Sequence, residues 1–179
     1  MYSPVRELKE LLKVFENCGP DDQGWSDFGE ERANRILASF TAADWDALLE
    51  ASEGLKPGEL DVLSSVIATQ SHRHVLPLLV RAVLNVDGSG WIGAAESLGR
   101  KYDSDPGLLR PYERSLQSSS SVEFIELQLK NWLNFPQQPY ASFDDYVAEH
   151  GHLVPPTVLA LVAYARRSPN NSLERTRER

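Results

Sequence analysis

Apolar residues recur along this chain at helical rather than strand spacing. Ser3 as a cap and Pro4 in a first turn, followed by Val5, Leu8, Leu11, Leu12 and Phe15, predict a helix ending near Asn17. The polar stretch 17–24, with two glycines and a proline, predicts a loop. Ala33, Ile36, Leu37 and Phe40 predict a second helix over 27–39, with Asp27, Glu30, Glu31 and Asn34 facing out. Thr41 predicts the cap of a third, on which Trp45, Leu48 and Leu49 share one face and Asp46, Glu50 and Glu53 another. Lys56-Pro57-Gly58-Glu59 breaks the chain before a fourth helix, whose buried stripe is Leu60, Leu63, Val66 and Ile67.

The segment VLPLLVRAVLNV that begins at Val75 is apolar on nearly every side, with Arg81 its only charge. Such a helix belongs in the middle of a fold, with Pro77 in its first turn, where proline costs least. The turn Asp87-Gly88-Ser89-Gly90 leads into a helix beginning at Trp91 that carries Trp91, Ala94, Ala95 and Leu98 on one side. Asp105-Pro106 starts another, with Leu108, Leu109, Tyr112 and Leu116 periodic after it. Ser120 with Glu123 and Ser142 with Asp145 form capping boxes for two more, and 153–166 is the last helix. No stretch gives a period-2 strand, so about ten helices joined by short connections predict an all-α protein of antiparallel hairpins.

At 179 residues, 41% hydrophobic and 25% charged, the chain has the size and composition of one α-helical domain, taken here as 1–166. The tail 167–179 has one large apolar residue, Leu173, among four arginines, and is expected to be disordered. The single Cys18 excludes an internal disulfide and a cysteine zinc site, and fits a reducing compartment. The N-terminus is charged and amphipathic rather than signal-like, and no apolar run reaches the roughly 18 residues of a membrane span, so the expected location is the cytoplasm.

The net charge of -8 is concentrated: residues 16–61 hold twelve acids against three bases. That field repels nucleic acid and anionic membranes and attracts a basic protein. A solvated acidic face kept for solubility is the plain alternative. The geometrically coherent part is Asp46, Glu50 and Glu53, and the partner-binding expectation extends to Asp21, Asp22, Asp27, Glu30 and Glu31. Trp25, in a loop, is the expected aromatic anchor, while Trp45 is expected in the core.

Asp21 to Trp25 and Asp87 to Trp91 both read D-x-x-G-W, with Glu30 and Glu96 five residues after each tryptophan. The second copy, with Pro77 early in an apolar helix and Ala94, Ala95, Leu98 and Gly99 beyond the turn, resembles a HEAT repeat. Trp91-Ile92 stands where that family usually has Val-Arg. The resemblance implies hairpins stacked as a short HEAT-like solenoid, with a compact helical array as the alternative. Some HEAT-type folds bind damaged DNA, but their surfaces are basic, and the acidity here opposes that carry-over.

Residues 85–96 also resemble an EF-hand loop, with Asn85, Asp87 and Ser89 as ligands, Gly90 at the sharp turn, Ile92 at the apolar position and Glu96 bidentate. The first ligand is Asn85 rather than aspartate, and the copy over 19–30 lacks an oxygen-rich ligand set. This resemblance implies a calcium-responsive regulator. His72-Arg73-His74 and His150-Gly151-His152 contain every histidine; these pairs would hold a metal only from extended loops, and helix C-terminal dipoles account for them more simply.

No nucleophile elbow, phosphate loop, dinucleotide fingerprint or H-E-x-x-H helix is present. The reading is therefore a non-catalytic, cofactor-free module that captures a basic protein partner. In size, acidity and lack of catalytic motifs it is similar in type to bacterial immunity proteins that neutralise toxins.

Overall fold

The computed structural model describes residues 4–17, 29–87, 90–135 and 142–167. They form ten α-helices joined by short turns and 3-10 segments, with no strand among them. The chain divides into two compact units, Met1–Ala94 and Ala95–Arg179. None of the described helices is long and apolar enough to cross a membrane.

The first unit is built from α1 (Pro4–Asn17), α2 (Glu30–Ala38), α3 (Ala42–Ala51), α4 (Pro57–Ile67), α5 (Val75–Asn85) and the start of α6 (Gly90–Ser104). Helix α1 packs against α2, α3 and α4 through Leu11, Val14 and Phe15, and α4 packs against α5. Thr41 caps α3 as its sequence predicts. In α4, Leu60, Leu63, Val66 and Ile67 are buried, and so are Val62 and Ser64, which the single-stripe expectation left outside. Ser64 tolerates this because its hydroxyl donates to the Asp61 carbonyl at 2.8 Å.

Helix α5 buries Val75, Leu78, Leu79, Val80, Ala82 and Val83, with Pro77 in its first turn. Trp91 is fully buried and its indole N–H donates to the Val83 carbonyl at 3.1 Å, which ties the start of α6 to α5. A buried tryptophan without such an acceptor would leave a costly unpaired donor.

The second unit continues with α7 (Glu113–Leu116), α8 (Ser119–Trp132), α9 (Phe143–His150) and α10 (Pro156–Ala165). Three expectations change here. Residues Pro106–Tyr112 form a 3-10 segment rather than the start of an α-helix, and Leu108 is exposed while Leu109 is buried. Pro111 is the reason: it has no N–H to donate and its ring crowds an α-helical carbonyl four residues back. The cap of α8 is Ser118, whose hydroxyl accepts from the Ser121 N–H at 3.2 Å, rather than Ser120. Starting two residues earlier lets Val122 N–H reach the Ser118 carbonyl at 2.9 Å. The last helix begins at Pro156, after a 3-10 turn over Gly151–Leu153 that leaves Leu153 exposed.

Helix α8 ends with Asn134 in the left-handed region, φ 49°. Asn134 N–H reaches the Asn131 carbonyl at 3.1 Å and Phe135 N–H the Lys130 carbonyl at 2.9 Å, the paired bonds of a Schellman ending. Asparagine accepts this conformation more readily than most residues. The turn delivers Phe135 edge-on to Phe143 and Tyr146 of α9. Gly99 of α6 is required by close approach: a side-chain carbon there would overlap the Thr157 backbone in the first turn of α10.

Of the tail expected to begin at Arg167, only Arg167 is described; it lies over the Tyr164 ring at 5.8 Å. Residues 168–179 lie outside the described residues.

Candidate functional site

The acids of residues 16–61 differ in what they hold. Asp44 is fully buried and closes the capping box of α3, accepting from the Thr41 N–H at 2.8 Å and the Thr41 hydroxyl at 2.7 Å. Glu59 accepts from the Lys56 N–H at 2.7 Å at the start of α4. The Asp61 carboxylate lies so close to Gly90 that a side chain at 90 would overlap it. A carboxylate is favourable at that N-terminus, and glycine makes room for it, which accounts for the glycine of the second D-x-x-G-W turn. These three acids serve helix starts.

Asp46 and Glu50 project from α3 one turn apart, Glu53 lies in the 3-10 turn Ser52–Gly54 that follows, and all three are exposed. The same oxygen of Asp46 is bonded by His74 Nε2 and by Arg73 at 3.2 Å. The His74 bond, then the Arg73 bond, holds the Asp46 carboxyl below the usual aspartate range. Glu53 pairs with Arg81 at 3.3 Å, and Arg81 also donates to the Leu49 carbonyl at 3.0 Å and to the Ser52 hydroxyl. Glu50 pairs with no described residue.

On α2, Glu31 pairs with Arg35 at 2.7 Å, Glu30 is exposed, and Arg32 reaches Glu10 of α1 at 3.2 Å. The structure thus places Asp46 and Glu50 on α3 and Glu53 in the 3-10 turn Ser52–Gly54 just beyond it, rather than all three on one helix face, sets them against bases from 73–81, and puts Glu30 and Glu31 on a separate helix. Asp21, Asp22, Trp25 and Asp27 lie outside the described residues.

Beside this face, His72 stacks flat on Trp45, centroids 4.7 Å apart and 13° between planes, and Trp45 meets Phe40 edge-on. Trp45 is buried, as expected of a core residue. His72 Nδ1 accepts from the His74 N–H at 3.3 Å, which puts the ring proton on Nε2. Burial, then the charges of His74 and Arg73, pushes the His72 pKa down, so this ring is neutral at pH 7.

The C-terminal dipole therefore does not explain this histidine pair, which precedes α5 at the opposite, positive end. It does fit the second pair: His150 ends α9, stacked on Tyr146, and His152 Nδ1 lies 3.1 Å from the Glu149 carbonyl.

Around the EF-hand-like stretch, the Asn85 amide donates back to the Arg81 carbonyl at 2.8 Å, Asp87 is exposed, and Glu96 pairs with Arg100 at 2.5 Å. Ser89 lies outside the described residues. Among the described residues no three histidine, cysteine or acidic side chains are grouped to share a metal ion.

Arg73, His74 and Arg81 are the members of this face that sequence reasoning missed. Arg81 carried a signal, because a lone charge on an otherwise apolar helix must find partners. Nothing in the spacing of residues 72–74 pointed to Asp46, 26 to 28 positions earlier. Comparison of the chain with family models, with curated proteins and with solved structures finds no match.

Proposed function

We propose that this chain is a non-catalytic protein-binding module that captures a basic partner on the carboxylate face of α3, in the manner of an immunity protein neutralising a toxin. The supporting observation is the arrangement of Asp46, Glu50 and Glu53. All three are exposed, Asp46 and Glu50 one turn apart on α3 and Glu53 in the 3-10 turn that follows; Glu50 is unpaired among the described residues, and the Glu53 side chain is 75% exposed despite its bond to Arg81. A lysine or arginine from a partner can bridge Glu50, in the last turn of α3, and Glu53, three residues on in the 3-10 turn. Trp45 and Leu48 anchor the opposite side of α3, so this contact asks for no backbone change. Arg81 keeps the Leu49 carbonyl and the Ser52 hydroxyl if Glu53 turns outward.

What supports the HEAT-like reading of the architecture is the packing of α4 against α5 and the Trp91 bond that joins α6 to α5. For the function, the decisive measurement is affinity capture from native cell extract with the wild-type chain and with E50K and E50K/E53K. The expected result is a basic partner retained by the wild type, reduced by E50K and lost in the double variant, with helical circular dichroism unchanged. Equal retention by all three overturns the proposal.

A further inference from the structure

Helix α10, PTVLALVAYA, is apolar around its whole circumference, yet it is not closed on every side. Val158, Leu161 and Ala165 are buried, whereas Ala163 is exposed and Leu159 half-buried. Leu159, Val162 and Ala163 instead form one wall of an open groove of about 420 Å³, completed by Leu129 of α8 and by Phe143 and Val147 of α9.

Arg166 sits at the mouth of this groove and braces it. Its guanidinium bonds Glu126 of α8 and Asp144 of α9, each at 2.7 Å, so one side chain from the end of α10 ties both facing helices. Burial works against its charge, but the bonds to Asp144 and Glu126 outweigh that and raise its pKa further. Lys130 lies over the Phe143 ring at 5.1 Å. The rim therefore carries two cations and two carboxylates, and Arg166 is already engaged by both acids.

We propose that this groove is a binding site for a small, uncharged apolar ligand, an aryl or short hydrocarbon group. Size and charge on the page select that class. Seven side chains line the cavity, whereas a stable protein interface uses roughly 20–30 residues a side. The volume falls in the range of small-molecule sites, which are apolar pockets with few polar groups. Arg166 is held by both acids and Lys130 lies over the Phe143 ring, so the rim's two cations and two carboxylates present no net positive charge to draw in an anion. The brace fixes the separation of α8 and α9 before a ligand arrives, so little ordering is required on binding.

The test is a titration of the full chain, with labelled leucine, valine and alanine methyl groups, by toluene and separately by benzoate. The expected result is saturable toluene shifts at Leu129, Val147, Leu159, Val162 and Ala163, with benzoate binding at least tenfold weaker. Ala163→Trp fills the groove from an exposed position and should abolish the toluene shifts while leaving the methyl spectrum of Leu63, Leu78 and Leu79 unchanged; Ala163→Met provides the same block if the larger ring disturbs folding. No shift at millimolar toluene, equal shifts in the blocked variants, tighter benzoate binding, or groove-methyl shifts that follow protein concentration without a ligand would each overturn the proposal. The last of these would mark a contact between copies instead.

Discussion

Helices α5 and α10 are both almost wholly apolar and each carries or ends on an arginine that bonds neighbouring elements, Arg81 and Arg166, yet they are used differently. In the first unit Arg81 is drawn in by a backbone carbonyl and a hydroxyl, its side chain is only 26% exposed, and Leu78, Leu79, Val80, Ala82 and Val83 of the same helix are buried, with Pro77 and Leu84 half-buried. In the second unit the Arg166 side chain is held, among the described residues, by carboxylates from two other helices, and between those helices a groove stays open. An arginine satisfied by neighbouring backbone closes a helix against its unit. One satisfied by two acids across a gap holds the gap at a fixed width.

The largest test of this contrast is a matched pair of leucine truncations. Leu79→Ala on α5, where the side chain is fully buried, should cost about 2–5 kcal/mol in urea unfolding, since a cavity adds to the lost transfer energy. Leu159→Ala on the groove wall of α10 should cost under about 1.5 kcal/mol, because water already reaches that face. Equal losses would show that α10 is as closed as α5.

A smaller effect separates the partners of Arg81. Arg81→Met should cost about 1–3 kcal/mol by removing two charge-assisted bonds, one to the Ser52 hydroxyl and one to the Leu49 carbonyl, which retains the Ser52 hydroxyl as donor, while Glu53→Gln should change stability by less than about 1 kcal/mol, as a largely exposed ion pair. If Glu53→Gln proved the costlier, the carboxylate rather than the backbone would be what anchors Arg81, and Glu53 would be a poor partner contact.

The smallest expected effect is in pH. The pKa of His72 is lowered in the fold, so from pH 7.5 downward the unfolded chain takes up its proton first, and stability falls as pH drops below 6.5 toward the folded value. His72→Phe, which keeps the stack on Trp45, should flatten the melting-temperature profile between pH 7.5 and 5.5. Asp46 acts in a separate window: its lowered pKa gives stability present above its ordinary value of 3.8 and lost as pH falls below that. An unchanged profile in His72→Phe would remove the stacked ring as a source of pH dependence.

Much of this was legible from local chemistry. The helical period, the caps at Thr41 and Ser142, Pro57 and Pro77 in first turns, and the buried stripe of α4 follow from interactions within a few residues, so the sequence determined them. It also placed Asp46 and Glu50 one turn apart on α3, but its helical spacing extended to Glu53, which falls in the 3-10 turn beyond the helix. It misplaced the cap of α8, since four successive serines can each accept an N–H. It read the segment after Pro106 as α-helix because apolar spacing outweighed Pro111.

Only the tertiary structure decided which charges meet. The joining of Asp46 to His74, Arg81 to Ser52, and Arg166 to Glu126 and Asp144 links residues 22 to 40 positions apart. Such pairs depend on how helices are placed, which no local period encodes. The same holds for Asp61 against Gly90 and for the open side of α10. An apolar circumference specifies that a helix should be covered, but the packing of its neighbours decides where the cover ends.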